Sequence, residues 1–293
     1  MVAGLCLAGL AYRLVFVFDQ VGRIDGDNAV VGLMARHILE GRHYVFFWGQ
    51  HYLGTLEPYS IAAAGALFGL NDLVLRGVPL IYGALYMASF YWLGRSLGDE
   101  RTGRATLAAA ALCPPLLAVW SSSPRGGYPE ALFLGQAVLL LALHLARAPS
   151  GRRADGGALL LGLVAGLALW THFLSITFLL VAAWVCLRAD PGAWLRRRGW
   201  IAAVAFFAGS LPLWAYNLRH GFASFDLAGG AGGGASPLRS ARMLLVMNGP
   251  KLLGIRDLVG DQSVLLGPFG FAAGALLVTA ILWSILRPAG GVK

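Results

Sequence analysis

Apolar runs of roughly twenty residues, separated by short arginine-bearing loops, constrain this chain more than any other feature. A helix of that length spans the hydrocarbon core of a bilayer, and in lipid its backbone N–H groups must find partners within the helix itself. Such runs lie near residues 2–18, 74–95, 105–121, 131–147, 157–173, 175–188, 200–217 and 263–286. With 58% hydrophobic and 13% charged residues, a soluble domain is excluded. The expected fold class is all-α: a polytopic helical membrane protein of about eight transmembrane helices, with residues 1–293 as a single domain. Short alternating segments of a β-barrel are not seen. No internal repeat is evident.

Charge sets the expected orientation. One set of loops is short and basic: Arg95, Arg101 and Arg104; Arg147, Arg152 and Arg153; Arg188 and Arg196–Arg198; Arg287 and Lys293. The positive-inside rule puts these in the cytoplasm. The other set holds two long external loops, residues 19–73 and 218–262, and all but four of the fourteen acids. Placement in the cytoplasmic (inner) membrane follows, with the chemistry on the outer face. The net charge of +9 comes mainly from arginines flanking spans, which argues against nucleic acid as a partner. Cys6, Cys113 and Cys186 fall in apolar runs and read as small core residues. Residues 2–18 lack a basic leader and read as a retained first span. Because that run starts directly after Met1, truncation at either end is an open expectation.

Two juxtamembrane helices are expected in the first external loop. Residues 28–41 carry Val30, Met34 and Ile38 on one face and Arg36, His37 and Glu40 on the other, with Arg36 and Glu40 spaced as a helix-face pair. Residues 55–69 are too short and too acidic at their start for a crossing, and read as an interfacial or re-entrant helix. Ahead of the first helix stand Asp25 and Asp27. Asp27 occupies the expected N-cap position, and two neighbouring carboxylates divide readily into a base and its partner.

Other candidates lie at the same face. Phe46–Tyr52 is dense in aromatics, with His51 and Tyr52 able to hydrogen-bond beside apolar surface. Ser123–Glu130 holds two prolines and two glycines at membrane depth, together with Arg125, Tyr128 and Glu130, which are costly there unless paired or used. Arg219 and His220 end a span and suit a phosphate. Arg36 is a second phosphate candidate. The histidine spacings fit no zinc site. A divalent cation held by Asp25, Asp27 and Glu130 is possible but not required, and no other metal site is expected.

Taken in order, Asp27–Gly41, Trp48–Glu57, Arg125–Glu130 and Leu211–Asn217 resemble the GT-C class of membrane glycosyltransferases. The resemblance is to bacterial relatives of protein O-mannosyltransferases and of lipid A aminoarabinose transferases, and it covers most of the chain. It implies a polyprenyl-phosphate sugar donor, a lipid, glycan or protein acceptor, and inversion at the anomeric carbon. It makes Asp27 the catalytic aspartate and Glu130 the counterpart of the second-loop acid. Where the family often has Asp-Glu, Asn28 follows Asp27 here, and Asp25 is the candidate for the missing acid. Arg36, His51, Tyr52, Glu57, Arg125, Tyr128, Arg219 and His220 are the expected substrate-binding residues. Two other classes fit the composition: a transporter or flippase for a lipid-linked substrate, and a non-catalytic membrane subunit.

Overall fold

The structure, a computed structural model, describes residues 1–19, 25–147, 151–225 and 242–243. It is mostly helical. Four helices among the described residues are long and apolar enough to cross a membrane. They are α1 (Val2–Asp19), α4 (Asp72–Leu97), α7 (Tyr128–Arg147) and α8 (Arg152–Thr171). They coincide with the runs expected at 2–18, 74–95, 131–147 and 157–173.

Three other runs take a different form. Residues 105–121 are not one helix: α5 (Glu100–Ala111) ends before Leu112, and α6 (Pro115–Trp120) starts after Pro114. Proline lacks an amide hydrogen and disfavours helical backbone in the residue before it, so two in succession break the run. Residues 175–188 form α9 (Ile176–Ala189), entered through a 3-10 turn at Phe173–Ser175. At 14 residues, α9 falls short of a full crossing. Residues 200–217 divide into α11 (Arg197–Gly209) and α12 (Leu211–Arg219), bent by 67°. Pro212 lies in the first turn of α12 and removes a donor where the axis changes direction. Counting that pair as one span raises the total to five. The run at 263–286 lies outside the described residues, as does most of the expected external loop at 218–262.

Between α1 and α4 the first loop folds into α2 (Gly26–Leu39), a hairpin of β1 (Phe46–Phe47) and β2 (Gln50–Gly54), and α3 (Leu56–Phe68). Both helices expected in this loop are present. The hairpin is a correction to a purely helical reading: its strands are too short to show a two-residue period among so many aromatics. The buried face of α2 is also rotated slightly from expectation. Val31, Met34 and Ala35 are its buried positions, with Val30 and Ile38 at the margin. They pack with Phe47 and Leu53 of the hairpin, Ile61 and Ala62 of α3, and Leu75 of α4.

The contacts divide the chain into two units, Met1–Leu112 with Ala118–Leu227, and Cys113–Leu117 with Ala228–Lys293. In the first, Val138, Ala142, Ala158, Leu161 and Ala182 form a core among α7, α8 and α9. Helices α8 and α11 approach closely: a Cβ on Gly162, Gly166 or Gly209 would collide with a backbone oxygen of the facing helix. Small residues allow this approach in helices with no hydrophobic drive to associate in lipid. The hairpin is fixed against the end of α8. Trp170 Nε1 donates to the Val45 carbonyl at 3.0 Å, Leu53 forms a backbone bridge with His172, and Gly54 leaves room for the Trp170 carbonyl.

Arg13 is buried within α1. It donates to Ser121 Oγ at 3.2 Å, to the Gly9 carbonyl at 3.1 Å and to the Ala110 carbonyl at 3.1 Å. These bonds offset the desolvation of the guanidinium and tie α1 to the segment that leads into the site.

Candidate functional site

The segment Ser121–Glu130 meets the loop between α1 and α4 at one end of the helices. The local sequence explains the turn. Gly126 and Gly127 have φ of 78° and 92°, a region that L side chains rarely adopt. This backbone turns both amides inward, where Glu57 Oε2 accepts from Gly126 N–H at 2.7 Å and from Gly127 N–H at 2.9 Å. Glu57, in the first turn of α3, is fully buried. It therefore lies beneath the turn. Burial pushes its carboxyl up to about 7, against the lowering effect of the Gly127 and Gly126 amides. The nearby charge of Asp27 adds to the rise.

On the outer side of the same turn, Arg125 reaches Asp25 and Asp27. Its Nη2 donates to Asp25 Oδ2 at 3.2 Å, and its Nη1 lies 3.9 Å from Asp27 Oδ2. Asp25 Oδ1 accepts from the Asn28 N–H at 2.9 Å. The N-cap of α2 is thus Asp25, which corrects the expectation for Asp27. Asp27 stands in the first turn of α2, with its side chain 56% exposed. Both positions suit a capping acid, and Asp25 is the one to which Arg125 also donates a hydrogen bond.

Glu130, in the first turn of α7, is fully buried. Neither of its oxygens, nor Glu57 Oε1, has a hydrogen-bond partner among the described residues. Glu130 does not join Asp25 and Asp27 as a ligand set. Among the described residues no three His, Cys, Asp or Glu side chains gather to hold a metal ion.

Tyr128 packs between Trp120 and His172, with ring centroids 4.5 and 4.6 Å away. His172, between α8 and α9, accepts from the Leu174 N–H through Nδ1 at 2.9 Å. Burial depresses its pKa to about 4, which keeps the ring neutral. Its role was not anticipated from the sequence. A lone histidine between two apolar runs was the only signal.

A second cluster forms around Tyr216 of α12. The His51 ring stacks on Tyr216 at 5.4 Å, and its Nδ1 lies 3.2 Å from the Tyr216 hydroxyl. On Tyr216, His220 stacks at 3.9 Å. Buried Asn217 holds this end of α12 by accepting from the Ser224 N–H at 3.0 Å and donating to the Leu213 carbonyl at 2.8 Å. Arg219 is exposed in the last turn of α12. Tyr52, also exposed, donates to Gln50 Oε1 at 2.9 Å. The hairpin joins the two clusters, since β2 carries His51 toward Tyr216 and Leu53 toward His172.

Arg36 lies apart from both clusters. It lines a groove of about 380 Å³ with Asn28, Leu33, Asn71 and Leu75. The expected pair with Glu40 is absent, because Glu40 is the C-cap of α2 and pairs with Arg42. The chain turns back after Leu39, which brings Arg42 nearer than a residue one helical turn away. No family model, curated protein or solved structure matches this chain.

Proposed function

We propose that the chain is a GT-C-like glycosyltransferase of about eight spans, working at the outer face of the cytoplasmic membrane. It moves a sugar from a polyprenyl-phosphate donor to a lipid, glycan or protein acceptor. The observation that carries this reading is Arg125 held between Asp25 and Asp27 at the junction of the first loop and the Ser121–Glu130 turn. A half-exposed acid and a cation at one point are what a transfer away from phosphate requires.

In this mechanism Asp27 takes the proton of an acceptor hydroxyl or amine. The acceptor atom bonds to the anomeric carbon as the bond from that carbon to the phosphate oxygen breaks, with inversion. A base in this position contributes ~10²–10⁴-fold. The departing phosphate carries the electron pair and meets a cationic or N–H donor, with Arg125, Arg219 and His220 as the candidates. Asp25 holds Arg125 and caps α2. Glu57 fixes the turn from below.

The test is transfer from a panel of radiolabelled polyprenyl-phosphate sugars in membranes, comparing wild type with Asp27→Asn. Wild-type turnover and a loss of about 100-fold or more in a folded variant are expected. Equal turnover removes Asp27 as the base. A second reading, proton-coupled transport of a lipid-linked substrate, draws on Glu130, buried in α7 with no hydrogen-bond partner among the described residues, since carboxylates within spans often serve proton paths. It predicts flux in proteoliposomes that is lost in Glu130→Gln, without donor cleavage.

A further inference from the structure

We propose that the crevice between α9 and α11 binds one acyl chain of an anionic membrane phospholipid, with its headgroup at the arginine-rich end marked by Trp194. The inference is independent of the transfer reaction.

Helix α9 packs on α7, and α11 packs on α8. A short helix, α10 (Pro191–Trp194), contacts both α9 and α11 at one end. The space enclosed is about 330 Å³. Val138, Leu161 and Ala165 form its floor, and Ala183, Ala202 and Phe206 its walls. Small side chains on the walls leave the room, and apolar lining offers water almost nothing to bond. Around the mouth, Leu180 and Trp184 of α9 and Val204 and Phe207 of α11 are exposed, as expected of a surface that faces lipid.

Charge fixes the polarity of the occupant. Trp194 of α10 lines the crevice at the end where α9 finishes and α11 starts. Arg197 pairs with Asp155 and Arg198 with Asp190, whereas Arg188 and Arg196 are exposed with no ion partner among the described residues. Arg188 follows the lining residue Leu187, and Arg196 stands two residues past Trp194. Basic groups between helices recognise anionic headgroups, and a zwitterionic headgroup leaves this charge unmatched.

The experiment places the full-length chain in phosphatidylcholine nanodiscs with a trace of diazirine-acyl phosphatidylglycerol or diazirine-acyl phosphatidylcholine. After photolysis, labelled peptides are mapped by mass spectrometry. Crevice residues of α9 and α11 should be labelled about tenfold more by the anionic probe. The double variant Arg188→Gln/Arg196→Gln should erase most of that preference, and Ala183→Phe should remove the label itself. Equal labelling by both probes would reduce the crevice to an ordinary lipid contact and overturn the proposal. Label elsewhere on the protein but none in the crevice would show that the chain fills it and would also overturn the proposal. If Ala183→Phe fails to give a monodisperse protein, the arginine double variant still decides.

Discussion

At the residue scale, two buried titratable groups at the site pull stability in opposite directions. Glu57 holds its proton more tightly in the folded chain, so its contribution falls as pH climbs from the ordinary 4.5 to about 7. His172 resists a proton that the unfolded chain would accept, so its contribution falls as pH drops from 6.5 to about 4. Replacing Glu57 by Gln should cancel only the first effect. Across pH ~4.5 to ~7, the stability of Glu57→Gln relative to wild type should rise by on the order of 3 kcal/mol. Thermal unfolding of both proteins in detergent checks this, and parallel pH profiles would refute it. The gathering of Asp25, Asp27 and Arg125 was partly legible in the sequence because a charge beside an apolar run is expensive unless paired, whereas the expected convergence of Glu130 with Asp25 and Asp27 is not found among the described residues. The task of Glu57 was not legible, since it depends on which amides the two glycines present to it from 69 and 70 residues away. The choice between Asp25 and Asp27 as cap was equally hidden, because Arg125 lies 100 residues from Asp25.

At the element scale, hydropathy located the four long helices well and missed the breaks. Composition alone does not weigh two adjacent prolines against the apolar run around them, nor does it reveal a bend at Pro212. The approach of α8 to α11 was invisible too, because a glycine in an apolar run says nothing about which backbone it faces. That approach gives a prediction. Gly166→Val would drive a side chain into the Phe206 carbonyl and should cost about 1–3 kcal/mol by overpacking. Its unfolding temperature should fall, whereas Gly156→Val, with open space around its Cβ position, should stay close to wild type. Similar losses at both positions would mean that helix propensity, and not close packing, sets the cost.

At the scale of the whole molecule, the positive-inside rule predicts that the loop at residues 19–73 and the basic loops lie on opposite sides of the membrane. In a variant lacking Cys6, Cys113 and Cys186, Tyr52→Cys should react with a membrane-impermeant thiol reagent added outside intact cells. Arg101→Cys should react only after the cells are opened. Both native positions are exposed, so access depends on sidedness alone, and reversed labelling would invert the topology. The long reach of the Arg125 turn also sets an order of events during synthesis. Glu57 leaves the ribosome 68 residues before Arg125, a gap of several seconds at ~5–20 residues per second. During that interval the first loop has its acids but neither the amides nor the guanidinium that will hold them. A nascent chain stalled before residue 121 should therefore leave this loop open to proteases that the finished protein resists.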